Sequence, residues 1–195
     1  MMAKDTRHEK SGKSTRELLI EAGMDLLTSK GYSGAITREI ASKADVTEHT
    51  LYRHFSSKDD LLAQGIIELT QRPLSLPTEP TGDLEHDLIL LAKSVTESIG
   101  TDIDRILSIL PELNRYPALM TEDVQKNIQQ FNDKFENLFS HYQQTGHLVK
   151  ISIEQMTAAF VGPMLMSFIF PKVINTPREF NCECHVKHFL SGYIS

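Results

Sequence analysis

The sequence predicts an all-α protein, with an N-terminal three-helix helix-turn-helix domain followed by a larger helical body. Apolar residues recur at three- and four-residue spacing through most of the chain, and Ser or Thr stands ahead of the early apolar series. No segment shows a sustained alternating pattern or an Asn-Gly hairpin signal, so essentially no sheet is expected.

The elements follow in order. Ser14 and Glu17 form an S-x-x-E capping box ahead of Leu18, Leu19, Ala22, Leu26 and Leu27. Gly31 is placed to stop that helix in the left-handed conformation, with Lys30 complementing its last turn. Thr37 can cap a short helix carrying Ile40, Ala41 and Ala44, and Thr47 another carrying Leu51 and Phe55. Ser57 with Asp60 gives a box-like start before Leu61, Leu62, Ile66 and Leu69. Pro73, Pro77, Pro80 and Gly82 then exclude regular helix. Beyond them, helical patterns run over 83–99, 102–110, 117–144, 153–171 and 181–193, separated by Pro111, Pro117, Gly146, Pro171 and Pro177. The expected division is a basic arm over 1–13, the helix-turn-helix domain over 14–60 and the helical body over 61–195.

Net charge is −6, but it is unevenly spread. Residues 1–58 hold ten Lys and Arg against eight Asp and Glu, whereas residues 59–195 hold ten against eighteen. A basic arm and a near-neutral head before an acidic body suit a protein that touches phosphates at one end only. Cys182 and Cys184 stand too close in sequence to staple a fold, which fits a reducing cytoplasmic setting. No signal peptide is visible after the N-terminal Met-Met-Ala-Lys. The longest apolar run, Phe160 to Phe170, is interrupted by Gly162, Pro163 and Ser167, and is expected to fall short of a membrane span.

The stretch from Thr37 to Lys58 carries the function. It reads as a short helix, a three-residue turn and a second short helix, with Ile40, Ala41, Ala44, Val46, Leu51 and Phe55 spaced to face one small core. That is helix-turn-helix geometry, whose second helix fits a major groove about 12 Å wide. Thr47, Glu48, His49, Thr50, Tyr52, Arg53 and His54 then face outward. Hydroxyls at a helix N-terminus can join backbone N–H groups on a phosphate, and Tyr52 and Lys58 can each reach another. Glu48 could accept from a cytosine amino group or stabilise its own helix N-terminus; the helix role is preferred.

The segment from about Arg16 to Ile67 resembles the DNA-binding domain of the TetR family of bacterial regulators. The resemblance rests on Lys30–Tyr32, Thr37–Ala41, Val46–Phe55 (Val-Thr-x-x-Thr-Leu-Tyr-x-His-Phe) and Ser57–Leu62, about a quarter of the chain. It implies that Thr37 and Arg38 approach the DNA backbone, that Thr47, Glu48, His49, Thr50, Tyr52, Arg53 and His54 form the recognition element, and that Lys58 meets a phosphate. Two positions depart from the family pattern. Asp45 stands where the turn usually has Gly, and can still adopt the left-handed conformation. His49 stands where Gly or Pro is common, and adds a candidate base reader.

The same resemblance implies a C-terminal effector-binding and dimerisation domain, whose last two long helices pack on a second copy. It implies a repressor released from a palindromic double-stranded DNA operator by a small apolar or aromatic effector. Phe131, Phe135 and Phe139 recur every four residues, opposite plausible partners Leu110, Met120, Met164 and Phe168. Such a stripe is plain core more often than pocket, yet these seven residues are the pocket candidates. Cys182, Cys184, His185 and His188 offer metal-binding side chains at helical spacing, but Cys-x-Cys-His-x-x-His is not a standard zinc pattern, and no metal or cofactor is assigned. A body that docks a protein partner, or senses metal or redox state through that cluster, is the competing reading. Gly-rich phosphate loops, G-x-S-x-G and H-E-x-x-H are absent, so no enzyme is expected.

Overall fold

The computed structural model describes residues 12–71, 79–174 and 179–195. Lys4, Arg7 and Lys10 of the basic arm, and Pro73, Pro77 and Pro177, lie outside them. The described residues form nine α-helices and no strand: α1 (Thr15–Gly34), α2 (Thr37–Lys43), α3 (Glu48–His54), α4 (Lys58–Thr70), α5 (Leu84–Gly100), α6 (Ile103–Arg115), α7 (Glu122–Gln144), α8 (Ile153–Ile174) and α9 (Cys182–Tyr193). The chain divides into two compact units. One comprises Met1–Gln71 with Asp104–Asn127; the other comprises Arg72–Ile103 with Ile128–Ser195.

The first unit is built on local signals. The Ser14–Glu17 capping box forms in full and starts α1. Gly31 has the expected positive φ of 69°, but its ψ of 177° is extended, and a last helical turn follows the kink as far as Gly34. Thr47 and Ser57 cap α3 and α4 through the N–H groups of Thr50 and Asp60. Thr37 does not cap α2: Ile36 holds the N-cap position without a side-chain bond, and the Thr37 hydroxyl is taken by Glu48 instead. α1 and α4 cross closely because both carry glycine at the contact. A Cβ on Gly23 would lie 2.4 Å from Leu61 Cδ2, and one on Gly65 2.4 Å from Met24 Cγ. Leu19, Leu27, Ile40, Leu51, Leu61, Leu62 and Ile66 complete the core. Asp25 receives both Lys43 and Arg105 at 3.0 Å, which ties α1 to α2 and to α6.

The second unit packs α5 against α8 and α9. Its core joins Leu88, Leu91 and Val95 to Phe135, Phe139, Tyr142, Met156, Phe160, Met164, Val186 and Phe189. Asp87 is buried within it and accepts from the Tyr142 hydroxyl (2.6 Å), the Thr81 hydroxyl (2.7 Å) and the Thr81 N–H (2.8 Å). Burial pushes the Asp87 carboxyl up, but these hydrogen bonds outweigh it and hold the group below its ordinary value.

Prolines divide the helices less than expected. α6 continues through Pro111 to Arg115, and α8 through Pro163 and Pro171 to Ile174. A proline inside a helix removes one hydrogen bond and bends the axis, and packed neighbours can carry that cost. Pro117 opens a single 3-10 turn, so α7 begins at Glu122. Since α8 is unbroken, Ile153–Pro171 is by length and composition apolar enough to cross a membrane, which corrects the expectation of too short a run. In this fold α8 instead buries Met156, Phe160 and Met164, and leaves Met166, Phe170 and Ile174 exposed.

Candidate nucleic-acid interface

The two short helices of the motif meet through buried Ile40, Ala41 and Leu51. Ala44 is buried, and Asp45 takes the left-handed turn with φ 57°, the one non-glycine residue of positive φ among those described. Asp can hold that conformation because its short side chain bonds locally. The turn closes by the Val46 N–H donating to the Ala41 carbonyl at 2.9 Å.

This packing turns one polar face of α3 outward. Thr47, His49, Tyr52, Arg53 and His54 are exposed, as is Arg38 on α2; Tyr52 keeps 52% of its surface free. An open groove of about 690 Å³ runs beside them, lined by Arg38, Thr47, Glu48, Thr50 and Arg53 of the expected set. It also takes in the turn residue Asp45, and Thr15 and Ser42, which the sequence reading missed. Ser42 lies four residues after Arg38 and so shares its helix face, a spacing that could have found it. Thr15 offers no local signal beyond its place at the start of α1.

Three expected contacts are already engaged within the protein. The Thr37 hydroxyl donates to Glu48 Oε1 at 2.5 Å, joining the first residues of α2 and α3. That bond supports a positioning role for Glu48 over a direct reading of bases. Thr50 and Thr47 pair their hydroxyls at 3.0 Å. Lys58 donates to the Tyr32 carbonyl at 2.9 Å and lies 3.6 Å from the Tyr32 ring centroid. One donor of its ammonium is thereby used, and two remain for a phosphate. Tyr32 in turn donates its hydroxyl to Asp59, and that bond, with burial, pushes the phenol up to about 12.

The pocket candidates are distributed over both units. Phe135, Phe139 and Met164 are fully buried in the core of the second unit, where Phe139 packs on Phe160 and Phe189. Phe131 packs on Phe135 at the edge of that core, and Phe168 lies against Gly100. Leu110 and Met120 belong to the first unit, and Leu110 is 56% exposed. Helical spacing showed which residues were apolar but not which helices they meet.

The Cys/His cluster also divides. Cys184 Sγ and His188 Nδ1 lie 3.5 Å apart on the exposed side of α9, while Cys182 turns toward Thr96. His185 Nε2 sits 2.8 Å from the Phe160 carbonyl, just before Pro163, and burial lowers its imidazole below the usual value. Among the described residues no group of three or more His, Cys, Asp or Glu could hold a metal ion.

A helix-turn-helix with its second helix presenting hydroxyls, imidazoles, a phenol and a cation defines a DNA-binding protein. Residues 19–64 match the family described as bacterial regulatory proteins, tetR family. The chain is 28% identical over 189 residues to YvkB, an uncharacterised HTH-type transcriptional regulator of Bacillus subtilis, covering 91% of this chain and 96% of that one. It is 29% identical over 103 residues to the HTH-type transcriptional repressor KstR of Rhodococcus jostii, covering 52% and 48% of the two chains. A TetR-family transcription regulator from Marinobacter aquaeolei shares the fold, with a TM-score of 0.70 at 15% identity over 95% of this chain and 98% of that one. Residues 19–64 thus match the TetR-family DNA-binding domain, and the chain as a whole is similar to helix-turn-helix transcriptional regulators.

Proposed function

We propose that the protein is a homodimeric, cytoplasmic repressor that holds a palindromic operator until a small apolar or aromatic effector releases it. The observation carrying this reading is the outward face of α3, where Thr47, His49, Tyr52 and Arg53 stand exposed beside the groove that Arg38 also lines. Arg38 and Lys58 contact the DNA backbone, and His49 and Arg53 read base edges in the major groove. A seven-residue helix spans too few base pairs for selectivity on its own, so two copies read two half-sites. Exposed Met166, Phe170 and Ile174 on α8 support a surface that a second copy covers. Residues 61–195 serve dimerisation and effector binding, and the effector acts by preferring the conformation that does not hold DNA.

Selection of the purified full-length protein against a random-sequence DNA library, at near-physiological salt, tests this reading. A palindrome with two half-sites about one helical turn apart is the expected result. Binding that shows only a salt-sensitive background without sequence enrichment contradicts it.

A further inference from the structure

We infer that Glu112 and Tyr116, at the end of α6, are positioning residues for the phosphate contact of Lys58, acting through Tyr32. The inference rests on the proposed DNA-binding reading and adds the parts that hold one of its cations in place.

Tyr32 is clamped from every side by groups of its own unit. Its N–H donates to Glu112 Oε2 at 3.2 Å, its carbonyl accepts from Lys58, and its hydroxyl donates to Asp59. Its ring stacks on Tyr116 with centroids 4.0 Å apart and planes 28° from parallel, and the Lys58 ammonium sits at the same ring. Beside it, Ser33 Oγ meets the Tyr116 hydroxyl at 2.9 Å.

The backbone is shaped for this grip. Gly31 breaks the helical run at φ 69°, which turns the following N–H toward Glu112. A Cβ at position 31 would lie 3.1 Å from Glu112 Oε1, so a larger residue strains the backbone and crowds the carboxylate. Glu112 stands in the last turn of α6 and Tyr116 directly follows that helix, with the Tyr116 N–H donating to the Glu112 carbonyl at 2.8 Å, which closes the turn and holds the two side chains near one another.

Lys58 is the first residue of α4, where free backbone N–H groups and the helix dipole already favour an anion. Its long side chain is costly to order, and the Tyr32 carbonyl and ring carry that cost before DNA arrives. A shift of the last turn of α6 moves Tyr32, and with it the ammonium.

The test is a double-mutant cycle of Tyr116→Ala with Lys58→Met in the full-length protein, read on the selected operator as affinity against salt. Each lost phosphate contact removes about 0.9 from the log–log salt slope, so two per dimer change the affinity ratio between 50 and 200 mM salt by about tenfold. Lys58→Met and Tyr116→Ala are each expected to lower the slope, and the double variant to lower it no further than Lys58→Met alone. Tyr116→Phe, which keeps the stack, is expected to retain the wild-type slope. If Tyr116→Ala unfolds, Glu112→Ala takes its place in the cycle with the same expectation. A wild-type slope in the α6 variant, or a loss that adds in full to that of Lys58→Met, overturns the inference while leaving operator binding intact. A wild-type protein that selects no sequence overturns both the inference and the reading beneath it.

Discussion

Each unit of the molecule contains a tyrosine that donates its hydroxyl to an aspartate, and the two pairs serve different ends. Tyr142 and Asp87 lie in the core of the second unit, where Asp87 also holds both the N–H and the hydroxyl of Thr81. Tyr32 and Asp59 lie half-buried in the first unit, beside the proposed DNA-binding face. Both phenols are pushed up to about 12, yet burial is the larger cause for Tyr142 and the hydrogen bond for Tyr32. The same chemical pair is a staple where water is excluded and a latch where water can compete. The first pair is therefore expected to carry more of the stability, and the second lies beside the Lys58 whose phosphate contact is proposed.

The largest expected effect comes from Asp87→Ala, which leaves Tyr142 and two groups of Thr81 without their shared acceptor. A loss of about 3 kcal/mol in unfolding free energy is expected from urea denaturation. An unchanged midpoint would show that water replaces the carboxylate and that the pair is no staple. Alkaline titration probes what the two pairs share. A phenol whose folded pKa is raised contributes stability below its ordinary value near 10, and that stability is lost as pH rises through about 12. Tyr142→Phe and Tyr32→Phe should each flatten the fall in thermal midpoint above about pH 10, and by similar amounts. A variant that leaves the fall unchanged would show that its phenol is not held up by its aspartate. The smallest effect is expected for Asp59→Ala, below about 1 kcal/mol, because both partners reach solvent and only one hydrogen bond and a first-turn charge are lost. A loss as large as that of Asp87→Ala, measured by the same urea titration, would erase the distinction.

The legibility of the sequence follows the same division. The head was readable because its determinants are near neighbours: Ser14 with Glu17, Thr47 with Thr50, Ser57 with Asp60, and Asp45 in the turn. Where a partner lies far along the chain, the reading failed. Thr37 looked like a cap, but its hydroxyl goes to Glu48, eleven residues on. Nothing in the residues around Asp87 points to Tyr142, fifty-five residues away. The Phe131–Phe139 stripe was visible as an apolar face, while its packing on Phe160 and Phe189 depends on how the helices of the second unit assemble. Prolines misled for a related reason, since α6 and α8 pass through theirs on the strength of packing that no local pattern records.

The central claim is that the exposed face of α3 reads DNA sequence. Its most direct test compares the wild type with a His49→Ala, Arg53→Ala double variant, by affinity for the selected palindrome and for a scrambled duplex at one fixed salt concentration. The variant is expected to keep its thermal midpoint and much of its affinity for scrambled DNA while losing most of its preference for the palindrome, at about 1–3 kcal/mol for each lost base contact. A variant that discriminates as well as the wild type would contradict the claim and move the reading of bases off this helix.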